Sequence, residues 1–272
     1  NPTAIKGISN TFTEDGVYSE KIFGPLRNYK CTCGKLFYKS NRGKRCIECG
    51  TLCDHSTLRT KTFGKICLPD KIYVIIPTFK KILEKIFGLT EIKSILTAAN
   101  YEKNSQKPYY YSLERNKLFR KSDLKLEERV VKTPIHDITT LYICYKQLLS
   151  SPYKSVIENM FADPRLANYV FVNTILVIPP NSRPIAKLND KFQVHEISAK
   201  YIEILKNVKN SFIDGIFQLN THGFGATVYK YQDAVDDLYK AILTKGFQQK
   251  ESITRENLAG KTVEQSTRNT IG

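Results

Sequence analysis

Residues 31–50 read Cys-Thr-Cys-Gly-Lys-Leu-Phe-Tyr-Lys-Ser-Asn-Arg-Gly-Lys-Arg-Cys-Ile-Glu-Cys-Gly. Cys31 and Cys33 form a C-x-C pair; after twelve intervening residues, Cys46 and Cys49 form a C-x-x-C pair. Each short loop brings two thiols together, and four converging thiolates make the tetrahedral ligand set that zinc takes. Gly34 and Gly50 follow the two pairs, where a residue without a Cβ lets the chain turn tightly and aim amides at sulfur. The stretch therefore predicts a structural zinc centre at Cys31, Cys33, Cys46 and Cys49. The alternative is reduced core cysteines, and Cys53 or His55 is close enough in sequence to replace a ligand. A four-sulfur site leaves no place for substrate, so its role is to fold a loop with little core of its own. Lys35, Lys39, Arg42, Lys44 and Arg45 would then stand on a rigid knob and meet nucleic-acid phosphates. Phe37 and Tyr38 either stack on a base or pack against the zinc loops; packing is the expectation.

The charge around this stretch supports the nucleic-acid reading. The chain has 272 residues, with 42 Lys plus Arg against 26 Asp plus Glu, a formal net charge of +16. Such a balance implies a polyanionic partner, or a Lys-rich composition that only aids solubility. Nine bases and two acids lie between Tyr29 and Lys65, whereas Lys191–Gln249 holds seven bases and six acids. Positive charge is thus densest around the cysteines. Seven cysteines, an odd number, and no basic-then-apolar opening segment argue against a disulfide framework and against secretion. Cys67 and Cys144 read as small buried hydrophobes. The longest apolar stretch, Tyr169–Ile178, is about half of a bilayer span, so no membrane role is expected.

Further along, Lys71–Ile76 suits a strand. Phe79, Ile82, Leu83, Ile86 and Phe87 share one helix face, ended by Gly88, and a second helix is expected over about Thr90–Ala99. Lys103–Val131 is highly charged and reads as an exposed insertion, its Tyr109, Tyr110 and Tyr111 expected to pack against a neighbour. A helix is expected over His136–Leu149, and a β-rich run over Tyr169–Ile178 stopped by Pro179 and Pro180. Ile197, Tyr201, Ile204, Leu205, Val208 and Phe212 mark a helix of some four turns. A glycine-bearing stretch and a second helix over about Tyr231–Leu243 follow, predicting an antiparallel hairpin whose near-neutral charge suits a protein partner. Asp233, Asp236 and Asp237 read as a solvated helix face. The fold class is α+β.

Three stretches together resemble the largest subunit (β′) of multisubunit DNA-dependent RNA polymerases. Gly16–Gly24 reads GVYSEKIFG and continues through Pro25 to the first cysteine pair; it is similar to the family's element leading into its zinc-binding domain, which uses the same C-x-C spacing. Val177–Pro184, VIPPNSRP, is similar to the family's V-[LI]-P-P-x-x-R-P element. Arg255–Lys261, RENLAGK, with Val263, Ser266 and Arg268, is similar to the switch segment beneath the clamp, departing from it at Thr262, Glu264 and Thr267. The order agrees with the family, and the matches span nearly the whole chain.

The resemblance implies a mixed clamp module: an N-terminal segment (1–28), a zinc-binding domain (29–60), a clamp core (61–190), a clamp-helix hairpin (191–249) and a switch segment (250–272). It implies that Arg255, Lys261 and Arg268 neutralise template phosphates. Arg183 would sit near the hybrid or exiting RNA, with a structural salt bridge as its alternative role. The hairpin would dock a promoter-specificity, sigma-like factor through Glu203, Lys206 and Asn210. Partners would be a β-like subunit, the remainder of β′, template DNA and nascent RNA. The sequence contains no N-A-D-F-D-G-D-like run, so the magnesium of two-metal nucleotidyl transfer is expected on another polypeptide stretch, with no turnover by this chain alone. Either the subunit is naturally split, as in polymerases of some large phages, or the sequence is a piece of a longer chain; divergence and the Lys/Ile/Tyr/Asn-rich composition point to a viral origin, with action in host cytoplasm or carriage in the virion. Two other classes remain: a freestanding zinc-containing nucleic-acid-binding transcription regulator, and a thiol enzyme using Cys67 or Cys144 with one of the four histidines.

Overall fold

The computed structural model describes residues 14–188, 191–213, 216–217 and 224–248. In chain order the elements are α1 (Glu20–Phe23), α2 (Leu58–Lys61), β1 (Gly64–Cys67), β2 (Val74–Ile75), α3 (Lys80–Phe87), α4 (Leu89–Ile95), α5 (Tyr101–Gln106), β3 (Tyr109–Ser112), β4 (Lys117–Arg120), α6 (Ile138–Leu149), α7 (Lys154–Glu158), β5 (Phe171–Val172), β6 (Thr174–Val177), β7 (Ala186–Leu188), β8 (Lys191–Gln193), α8 (Glu196–Asn210), β9 (Phe212–Ile213), β10 (Ile216–Phe217) and α9 (Phe224–Leu243). The mixed α+β class is as expected. Each described sheet has two strands: β1 with β6, β2 with β5, β3 with β4, β7 with β8 and β9 with β10. Such short ladders cannot enclose a core, so helices supply most of the buried surface.

The described residues form two compact units. One comprises 14–64, 177–202 and 237–248; the other comprises residues within Lys65–Leu176 and Glu203–Asp236. This division follows contacts rather than chain order, so the N-terminal segment and the cysteine loops share a unit. The switch segment (250–272) and its Arg255, Lys261 and Arg268 lie outside the described residues.

In the second unit the core gathers Leu83, Ile86 and Phe87 of α3, Ile92 and Ile95 of α4, Leu141, Tyr145 and Leu148 of α6, and Val228 and Tyr229 of α9. The apolar spacing along each helix explains this burial. Helix α6 starts one turn's fraction later than expected because Asp137 caps it: its carboxylate accepts from the Thr140 amide at 2.7 Å while Thr140 Oγ1 accepts from the Asp137 amide at 3.0 Å. Gln232, fully internal, reproduces a strand's pairing by accepting from Ile75 N at 2.7 Å and donating to Ile75 O at 3.0 Å.

Three expectations are corrected here. Residues 103–131 are not an exposed insertion. Strands β3 and β4 pair Tyr111 with Leu118, both buried, and Tyr111 meets Phe87 edge-on at 5.5 Å. The charges are satisfied locally, since Glu128 accepts from Arg115 Nη2 at 2.5 Å and from Ser112 Oγ. Only part of each strand is buried, Tyr111 and Ser112 of β3 and Leu118 of β4, so a highly charged stretch still contributes to a core. Cys67 is exposed because it occupies an outward position of β1, whereas Cys144 is buried. Helix α9 begins at Phe224 rather than near Tyr231, Gly225 notwithstanding, because a single glycine is tolerated in an otherwise helical stretch.

Helices α8 and α9 form the expected hairpin. Ile197, Tyr201 and Ile204 on α8 and Val235 and Leu238 on α9 are buried. Lys200 Nζ donates to Asp237 at 2.6 Å, and the Ser211 and Tyr231 hydroxyls lie 2.7 Å apart. Rising numbers on one helix thus meet falling numbers on the other. Of the aspartates read as a solvated face, Asp233 and Asp237 are exposed, Asp237 pairing with Lys200, while Asp236 is half-buried and paired with Lys80.

Candidate metal centre and basic knob

The Sγ atoms of Cys31, Cys33, Cys46 and Cys49 all lie within 4.8 Å of one another. Cys33 is 3.5 Å from both Cys31 and Cys46. Four thiolates about 2.3 Å from a tetrahedral zinc ion have sulfur–sulfur edges of roughly 3.8 Å, so the cluster fits the ion. The local backbone makes this possible. Cys31 N donates to Leu36 O at 2.9 Å and Gly34 N to Cys31 O at 3.1 Å, closing the first loop. Cys46 N donates to Thr51 O at 3.0 Å and Gly50 N to Cys46 O at 2.9 Å, closing the second. Gly34 and Gly50 have φ of 80° and 66°, the left-handed conformation that a side chain disfavours. The Leu36 amide donates to Cys31 Sγ at 3.2 Å, the kind of contact that steadies a thiolate and orients a ligand. Cys53 is buried outside the cluster, its thiol 3.9 Å from Tyr38 O, and His55 Nδ1 lies 3.0 Å from Thr57 Oγ1. Neither joins the four.

Lys35, Lys39, Arg42, Lys44 and Arg45 are all exposed on the loop between the pairs. Their charges are not equally available. Lys35 pairs with Glu48 at 2.7 Å, and Arg42 with Asp54 at 3.1 Å, where the His55 amide and then the Arg42 charge hold the Asp54 carboxyl below its usual range. Arg45 donates to Gly50 O at 2.7 Å and Lys21 O at 3.3 Å, bracing the second loop. Lys39 and Lys44 have no ion pair among the described residues, Lys44 reaching only Asn41 Oδ1 at 3.3 Å. Phe37 and Tyr38 do not pack beneath the loops: they are 43% and 66% exposed. The expectation of packing fails because a φ of 79° turns the Tyr38 ring outward, and the Phe37 ring lies against it rather than beneath the loops.

Arg183 also departs from expectation. Its side chain has no exposed surface. The guanidinium donates to Val17 O at 2.6 Å, Ile178 O at 3.0 Å and Ser198 Oγ at 3.0 Å, and its backbone carbonyl accepts from Tyr18 Oη at 2.8 Å. The rings of Tyr18, Phe23 and Tyr201 surround it at 4.8–5.5 Å. A cation so enclosed cannot meet a phosphate, and its donors go to carbonyls and a hydroxyl rather than to a salt bridge. Arg59, 4% exposed, completes the joint by donating to Gly24 O and Tyr18 O, both at 2.9 Å. Burial lowers both guanidinium pKa values, that of Arg59 to about 10, so Arg59 remains charged at neutral pH. Neither Arg59 nor Ser198 was legible as part of this joint, because partners so far apart along the chain leave no periodic signal. Glu203, Lys206 and Asn210 are exposed on α8.

The class of protein these features define carries a four-cysteine cluster able to hold a metal ion and, further along the chain, an antiparallel helical hairpin. The comparisons sharpen it. Homologues named DNA-directed RNA polymerase subunit beta′ match nearly the whole chain. That of Oenococcus oeni is 24% identical over 311 residues, covering 94% of this chain and 24% of its own length. That of Lactobacillus helveticus is 23% identical, covering 95% and 25%. That of Ehrlichia chaffeensis is 24% identical, covering 98% and 23%. The chain therefore spans about a quarter of the length of the curated relatives it matches. No family model matches it. No helix among the described residues is long and apolar enough to cross a membrane.

Proposed function

We propose that this chain is the N-terminal clamp portion of the β′ subunit of a DNA-directed RNA polymerase, a nucleotidyltransferase assembly. The observation that carries this is similarity to beta′ subunits along 94–98% of the chain, joined to a cysteine cluster of zinc geometry. In this reading zinc, held by Cys31, Cys33, Cys46 and Cys49, folds the knob and takes no part in catalysis. Lys39 and Lys44, with Lys35, Arg42 and Arg45 around them, attract phosphates without reading sequence. Arg255, Lys261 and Arg268 approach the template strand. The exposed face of α8 at Glu203, Lys206 and Asn210 docks a promoter-specificity factor. Magnesium and its aspartates belong to another stretch of the assembled enzyme, and a split subunit of a large phage is the proposed origin.

The test is assembly. Coexpressed with the other polymerase subunits of its source, the chain should copurify with a second large subunit, and native mass spectrometry should show one zinc per copy. A folded, zinc-loaded chain that stays monomeric beside those subunits and binds DNA alone would instead favour the freestanding regulator.

A further inference from the structure

The knob carries a feature that phosphate binding does not require. Tyr38 has φ 79° and ψ 151°, a backbone region occupied almost only by glycine. A bulky residue there is strained, yet Tyr38 is 66% exposed and so wins little burial in return. The strain is held from both sides. Tyr38 O accepts from Asn41 N at 3.1 Å, Phe37 O accepts from Asn41 Nδ2 at 2.8 Å, and Phe37 bridges to Lys30 in an antiparallel pair. The outcome is that the Phe37 and Tyr38 rings stand together in solvent, centroids 3.9 Å apart and planes 37° from parallel. Lys39 follows directly, and Lys44 belongs to the same loop.

We infer that Phe37 and Tyr38 form a stacking site for an unpaired base of a single-stranded nucleic acid, with Lys39 and Lys44 on the adjoining phosphates. The inference rests on the reading of the knob as a nucleic-acid surface and adds a ligand class to it. Backbone strain that aims an aromatic pair at water is explained by a flat, apolar ligand face, and flanking ammonium groups complement the anion that carries such a face. A duplex hides its base faces within its own stack and offers these rings only an edge.

The test uses the full zinc-loaded chain with fluorescently labelled 20-mers of uridine and of thymidine and a duplex of equal length. The proteins are wild type, Tyr38→Gly, Tyr38→Phe, Phe37→Leu and the double variant Lys39→Gln/Lys44→Gln. Zinc content confirms that each is folded, and Phe37→Leu keeps the test intact should Tyr38→Gly not fold. Loss of a stacking ring should weaken both single strands by roughly 5- to 150-fold and leave duplex binding within about twofold, while Tyr38→Phe binds as wild type. RNA and DNA strands should respond alike, since stacking ignores the sugar. The lysine variant should weaken every probe and lower the salt slope by about 1.4 for single strands. Ring variants that bind single strands normally, while the lysine variant loses all probes, overturn the stacking site and leave the charged surface standing. Equal losses on duplex and single strand overturn it as well. If the wild type binds no probe, both the site and the underlying reading fail.

Discussion

Replacing Arg183 by methionine separates an internal joint from a nucleic-acid contact. The change removes three donors, to Val17 O, Ile178 O and Ser198 Oγ. Ser198 keeps Tyr18 as a partner at 2.7 Å, so the two carbonyls are the orphans. Each buried, unsatisfied polar group costs about 1–3 kcal/mol, roughly 2–6 kcal/mol for the pair. Against this, the variant no longer buries a cation, and methionine refills part of the space among Tyr18, Phe23 and Tyr201. A net loss of about 3 kcal/mol follows, a large share of a typical stability of about 5–15 kcal/mol. Urea unfolding, with a slope of roughly 3 kcal/mol per molar, should show the midpoint falling by about 1 M. Arg183→Lys should fall nearly as far, because one ammonium cannot span three acceptors set around a planar guanidinium. DNA affinity measured below the transition should be unchanged for both. An unshifted urea midpoint together with lost DNA affinity, rescued by lysine, would refute the reasoning and return Arg183 to the nucleic-acid surface.

Substituting Cys46 by serine should strip the chain of zinc in plasma mass spectrometry after gel filtration, whereas Cys53→Ser, altering a thiol outside the cluster, should retain one ion per chain; the reverse pattern would reassign the ligands. The Arg115 guanidinium, with help from the Ser112 hydroxyl, lowers the Glu128 carboxyl to about 2 from an ordinary 4.5. A carboxylate depressed on folding contributes stability above its unfolded value and loses it as pH falls through the folded one, so stability should decline between about pH 5 and pH 2. Glu128→Gln should flatten that part of the pH profile in urea titrations, and an unchanged profile would count against the pairing.

How much of this was readable beforehand divides along a physical line. Local patterns were legible. The C-x-C and C-x-x-C spacing identified the four thiols that converge, since ligand loops close over a few residues. The apolar spacing at Ile197, Tyr201 and Ile204, and at Val235 and Leu238, identified the hairpin helices and the faces they bury. The family resemblance followed from three short stretches and agrees with homologues covering about 95% of the chain. The exposure of Tyr38 was not legible, because its ring is turned outward by a φ of 79° that composition does not encode.

By itself, then, the sequence determined which four thiols converge, the helical hairpin and the similarity to beta′ subunits, all set by residues near one another in the chain or by recognisable order. Only the tertiary structure decided what Arg183 does. Its partner Val17 lies 166 residues away, and Arg59 reaches the same segment from a third place in the chain. Whether an arginine faces water or a ring of carbonyls is fixed by which distant backbones surround it. Those carbonyls become unpaired as the segments close together, and a guanidinium is the side chain that can satisfy several of them at once.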